Sequence, residues 1–176
     1  MDTVLARRTA LRWALAGLSG VGLFAVPVAA ADQSTPLTAS DKLSIMELAA
    51  TFEMALDRED VESYLATFQD DGVLEGVGPK AQGKAALREA FWAMLKTFAR
   101  GKRHCSMNQL IEGDGQRATM TSYLVVFNRN DLQRGGSALV TDVAEQKNGK
   151  WLLASRKIEI DPSLHFGPTD QEKKHE

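Results

Sequence analysis

The chain is short of cysteine, of histidine and of any run of basic residues. One cysteine in 176 residues, Cys105, excludes an internal disulfide, so the fold must rest on its core. The three histidines, His104, His165 and His175, lack the short spacing of a metal site, and no metal is expected. The formal net charge is −2 and no basic stripe interleaves with aromatics, which argues against a nucleic-acid partner. A glycine-rich nucleotide loop at a strand–helix junction, a serine nucleophile elbow and a tandem repeat are also missing, and no cofactor is expected.

What is present divides into unlike parts. The opening "ARRTALRW" and the apolar "ALAGLSGVGLFAVPVAA" read as a targeting segment, to be set aside before the fold is considered. Arg7 and Arg8 ahead of an apolar run resemble a twin-arginine export signal, although Ala6 and Ala10 stand where a polar and an aromatic residue are usual. Small residues at 28–31 suit a signal peptidase, and Gly17, Gly20 and Gly22 weaken the run as a permanent span. The reading is an export signal over 1–31, a periplasmic or secreted protein, and membrane contact only if that signal stays uncleaved. Losing three arginines and one aspartate with the signal would take the formal charge from −2 to −4. Roughly 145 residues then remain, enough for one domain with a real core.

A polar linker, 32–37, leads to Thr38, which caps a helix in a capping box with Asp41. Ile45, Leu48, Ala49, Phe52, Ala55 and Leu56 form its apolar stripe, and it ends near Asp57. Asp60 caps a second, short helix carrying Val61, Tyr64, Leu65 and Phe68, which "QDDG" should break. "VLEGV" is then a short strand and "GPKAQG" a loop. A third helix runs from Lys84 to Phe98 on Leu87, Phe91, Leu95 and Phe98, stopped by Gly101. Beyond it the period becomes two, and 102–112, 116–128, 137–147 and 151–160 read as long strands. "GDGQ" and "KNGK" are hairpin turns, "NRNDLQRGG" is a loop, and 162–176 is a polar tail. Three helices followed by a meander of strands describe an α+β domain, with the helices on one face of a curved antiparallel sheet. Such a sheet leaves a pocket under the helices for a small apolar ligand. Apolar groups such as Val125 and Phe127 or their alternates on its outer face predict a homodimer.

The order and spacing of "ALDREDVESYLATFQDDGVLEG", "GKAALREAF", "KRHCSMN", "DGQRATMTSYLVVF" and "GKWLLASRKIEID" over residues 38–161 resemble the SnoaL-like domain of the nuclear transport factor 2-like superfamily. That resemblance implies a cone-shaped domain with a mostly apolar cavity, often dimeric, on which no single reaction is shared. Relatives of this kind include polyketide cyclases, scytalone dehydratase, ketosteroid isomerases and proteins that only bind or assemble. In dehydratase-like members an aspartate ending the first helix meets a histidine on a later strand, and Asp57 and His104 occupy those places. Leu56 stands where those members carry a tyrosine, and Ser137 or a neighbour where they carry a second histidine.

On the 102–112 strand, alternation puts His104, Ser106, Asn108 and Leu110 on one face and Cys105, Met107 and Ile111 on the other. The resemblance favours the His104 face as the cavity lining. Cys105 is expected to be buried and, as a strand neighbour of His104, not to meet it. A carboxylate on an imidazole fixes its tautomer and leaves a group that takes and returns protons. Asp57 and His104 are therefore read as a catalytic pair, with a ligand-orienting pair and a structural contact as the alternatives. Tyr64 is expected in the core with its hydroxyl at the cavity edge, and Asn108, Tyr123 and Asp142 as partners for a substrate oxygen. Trp92 and Trp151 are read as packing. The functional expectation is an exported, cofactor-independent lyase or isomerase acting on a small apolar carbonyl or hydroxyl compound; the alternative is a non-catalytic module holding a hydrophobic ligand.

Overall fold

The computed structural model describes residues 35–162. The signal reading of 1–31 and most of the tail at 162–176 lie outside the described residues.

Helix α1, Ala39–Asp57, begins at the predicted capping box: Asp41 N–H donates to the Thr38 hydroxyl, and the Asp41 carboxylate accepts from Thr38 N–H at 2.9 Å. Such a cap contributes about 1 kcal/mol. Its buried residues are Ile45, Ala49, Phe52, Ala55 and Leu56, the expected stripe, with Glu53 buried among them. Helix α2, Val61–Ala66, is capped by Asp60. Helix α3, Gly83–Met94, does not carry its α period to Phe98, because a π-helical turn takes over at Leu95–Ala99. The extra residue in that turn buries Leu95 and Ala99 and swings Phe98 out to 46% exposure. Trp92, read as packing, is also 46% exposed, with only the edge of its ring system against Phe91.

Six strands follow the order β2-β1-β6-β5-β4-β3, where β1 is Phe68–Glu75, β2 Ala81–Gln82, β3 Lys102–Gly113, β4 Arg117–Asn128, β5 Arg134–Lys147 and β6 Lys150–Ile160. The sheet is curved and unclosed and packs against the helices. Its pairs are antiparallel except β1–β6, which is parallel. The expected break at "QDDG" is corrected: the chain is already in β1 there, but between Phe68 and Val73 it leaves register with β6, with Asp70 and Asp71 in solvent. Short β2 lies in the segment read as a loop, and β5 starts at Arg134 rather than 137. The "KNGK" turn is as read, with Asn148 and Gly149 both at positive φ, as a two-residue hairpin between right-twisted strands requires.

The larger core cluster joins α1, α2 and α3 to the sheet through Phe52, Tyr64, Phe68, Leu87, Phe91 and Leu153, each nearly water-free. Tyr64 stands at its centre, with ring centroids 4.9 Å from both Phe52 and Phe91. Burying each such side chain contributes about 1.5–3 kcal/mol. A second cluster, including Ile45, Met120 and Trp151, packs the first half of α1 on the opposite end of the sheet. The wall between β3 and the second half of α1 is therefore left to polar contacts.

Candidate functional site

Asp57 and Glu53 lie one helical turn apart on α1, a rise of about 6 Å, while His104 and Ser106 lie two residues apart on β3, about 6.6 Å. The two spacings match, and each carboxylate takes two hydrogen bonds from one strand residue. Asp57 Oδ1 is 2.7 Å from His104 Nδ1, and Asp57 Oδ2 accepts from His104 N–H at 3.3 Å. Glu53 Oε2 accepts from Ser106 N–H at 3.1 Å, and Glu53 Oε1 accepts from the Ser106 hydroxyl. β3 is a terminal strand of the sheet, so these N–H groups point away from β4 and find their acceptors on the helix.

With the Asp57 carboxylate on Nδ1, that nitrogen carries the proton and Nε2 keeps its lone pair. The His104 side chain is 6% exposed and that of Asp57 9%. Arg103, on the solvent side, approaches Asp57 Oδ2 at 3.7 Å. His104 lines a cavity of about 410 Å³ with Phe52, Leu56, Leu124, Val126, Ala138 and Ile158; Val77, Met94, Phe98 and Ile160 line both this cavity and an outer groove along α3. His104 pairs with Val126, and Val126 with Gly136, so one row across three strands forms the cavity wall. A Cβ added at Gly136 would meet nothing within 4 Å.

Beneath the wall is a buried ionic group. Arg156 has no exposed side-chain surface; its Nη2 donates to Glu53 Oε1 at 3.1 Å, and its Cζ lies 4.0 Å from the centroid of the Phe52 ring. Asp142 Oδ1 is 3.5 Å from Arg156 Nε, an ionic contact without hydrogen-bond geometry, and neither Asp142 oxygen has a hydrogen-bond partner. Burial pushes the Asp142 carboxyl up to about 6, with Arg156 opposing and Glu53 adding to the rise. Burial likewise pushes the Tyr64 phenol well above its ordinary range.

Of the residues read from sequence, Asp57 and His104 are brought together. Tyr64 is in the core rather than on the cavity wall, its hydroxyl without a partner. Asp142 is buried under the wall, next to Arg156 rather than to the cavity. Asn108 and Tyr123 lie outside the cavity altogether, on a shallow depression with Leu110, Thr121 and Leu139. For Asn108 the reason is a bulge: Met107 pairs with Tyr123 but Leu110 with Thr121, so β3 holds one extra residue, and Asn108 there adopts a positive φ of 55°; Tyr123 faces outward by the regular alternation of β4. Alternation restarts after it, which buries Ile111 and leaves Leu110 71% exposed. Cys105 is exposed, not buried. Among the described residues no three His, Cys, Asp or Glu side chains gather as metal ligands, and no helix is long and apolar enough to cross a membrane.

Sequence reasoning missed Glu53, Ser106, Lys102 and Arg156. Glu53 was detectable, since it precedes Asp57 by one turn and falls on an apolar stripe. Arg156 was hidden, because Val143 pairs with Ser155 and Ala144 with Leu153, and the extra residue Ala154 turns the next side chains over.

The profile of the SnoaL-like domain matches residues 37–157. A protein of unknown function with a cystatin-like fold from Nostoc punctiforme is 62% identical, with 74% of this chain and 98% of that one covered and a TM-score of 0.72. Rv3472, a function-unknown protein from Mycobacterium tuberculosis, is 29% identical over 71% of this chain and 74% of its own, with a TM-score of 0.64. A candidate scytalone dehydratase from Novosphingobium aromaticivorans shares the fold at 20% identity and a TM-score of 0.61, with 70% of this chain and 85% of that one covered. No curated protein matches. With two thirds of its length under that profile and the helix-on-sheet cavity the fold builds, the chain belongs to the SnoaL-like domain family.

Proposed function

We propose that the protein is an exported, cofactor-independent lyase or isomerase that moves a proton on a small, mostly apolar carbonyl or hydroxyl compound. The observation that carries this reading is the 2.7 Å contact from Asp57 to His104 Nδ1 on a histidine that lines an apolar cavity. Asp57 holds the ring and its tautomer, and Nε2 is the atom that takes and returns the proton.

A second reading, a non-catalytic module for a hydrophobic ligand, is favoured by the way Asp57 grips His104: its bond to the backbone N–H repeats the Glu53–Ser106 tether, which has no acid–base role. A thermal-shift screen against small aromatic and terpenoid carbonyl and hydroxyl compounds, followed by turnover assays on the hits, separates the two. Under the enzyme reading His104→Ala loses about 10²- to 10⁴-fold in rate, and Asp57→Asn keeps binding but slows conversion. Hits that bind both variants normally and are converted by none, the parent included, leave the binding module.

Export is part of the proposal and rests on Arg7 and Arg8. Replacing both by lysine should leave precursor in the cytoplasm; unchanged export of that variant removes the twin-arginine route.

A further inference from the structure

We propose that Lys102 makes this cavity selective for apolar compounds bearing an anionic oxygen, a carboxylate or an ionised phenol. This rests on the cavity being a ligand site, and not on whether that ligand is converted.

Lys102 and His104 alternate on one face of β3 and both line the cavity, Lys102 at the start of the strand. The Lys102 ammonium donates to the neutral Asn128 amide oxygen, and among the described residues no carboxylate lies within ion-pair distance of it. The other cation on the wall, Arg156, already has two carboxylates beside it, Glu53 at 3.1 Å and Asp142 at 3.5 Å, and although its Nε and Nη1 lack hydrogen-bond partners it has no exposed side-chain surface. Phe52, Leu124, Val126, Ala138, Ile158 and Phe98 make most of the remaining wall apolar, and the Glu53 carboxylate that also lines it is held by Ser106 and Arg156. An anion entering such a space without a cation would lose its hydration uncompensated. Lys102 is the cation of the described wall that has no carboxylate beside it, and its charge is left to meet such an anion.

The spacing gives the ligand a shape. Lys102 and His104 lie two residues apart on the strand, about 6.6 Å along the backbone, so one aromatic ring can bridge an acid group on Lys102 and an atom facing His104. The open space before Gly136, in the same row as His104, accepts that ring.

The test compares 2-naphthoate with 2-naphthamide, alike in shape and different in charge, by calorimetric titration of the purified protein near neutral pH. The wild type should bind the naphthoate about ten-fold or more tightly than the amide. Lys102→Met should abolish that preference while amide affinity stays, and Lys102→Arg should keep it. Equal or tighter amide binding in the wild type, a preference that survives in Lys102→Met, or no naphthoate binding at millimolar concentration overturns the assignment. The same titrations on His104→Ala separate it from the catalytic reading: a preference retained there stands even where no turnover is found.

Discussion

Asp142 shows what the site asks of single residues. Its carboxyl sits with no exposed surface beside Arg156, and burial raises it from an ordinary value of 3.8 to about 6. A carboxyl whose pKa is higher in the folded chain takes up a proton on folding. Its stabilising effect is complete below about pH 4 and is lost as pH rises through about 6. Asp142→Asn has no such dependence. Urea unfolding from pH 4 to 7 should therefore show the wild type losing stability relative to Asp142→Asn as pH rises, and levelling off above about pH 7. A wild type that holds or gains stability relative to Asp142→Asn as pH rises would mean the buried acid stays charged throughout. Around Asp57 the surroundings differ: two N–H groups of His104 reach its carboxylate, and the Arg103 guanidinium lies 3.7 Å away.

At the scale of elements, Gly136 offers the sharpest check on the cavity. Its φ is not positive and a Cβ added there would meet nothing within 4 Å, so a side chain can start into the cavity without backbone strain. Gly136→Trp should fill the row between Val126 and the cavity centre, leave the melting temperature nearly unchanged, and abolish binding of compounds that the wild type binds. Undiminished binding would place the ligand elsewhere. The long strands and α1 were legible because their periods run unbroken over many residues, from the Thr38 cap to Asp57 and from Arg117 to Asn128. What stayed hidden were single insertions. One extra residue near Asn108 moved that side chain to the outer face, one at Ala154 carried Arg156 inward, and the π turn at Leu95 turned Phe98 toward the cavity rim. A period says nothing about where it resets, because bulges and π turns are chosen by the surrounding packing rather than by local preference. Asp57 and His104 were found through the family resemblance, and His104 keeps its expected face because it precedes the bulge.

For the whole molecule, the outer sheet face carries Met107 at 42%, Tyr123 at 54% and Leu110 at 71% exposure, with Val125 and Phe127 partly covered beside them. Apolar groups gathered on one face are the mark of an association surface, and the proposal is a homodimer. Sedimentation at micromolar concentration should give twice the monomer mass, and Tyr123→Glu should return the monomer; a wild type that sediments as a monomer removes the idea. The sheet's two borders bear on how copies could meet. One ends in β2, only two residues long, and along the other the Glu53 and Asp57 carboxylates occupy backbone groups of β3 that a foreign strand would need. Stacking strand upon strand, the route by which sheets grow into fibrils, is closed while α1 stays seated. The helix that aims the histidine is thus also a guard, and a variant that lifts its last two turns should be known first by turbidity, before any loss of chemistry is measured.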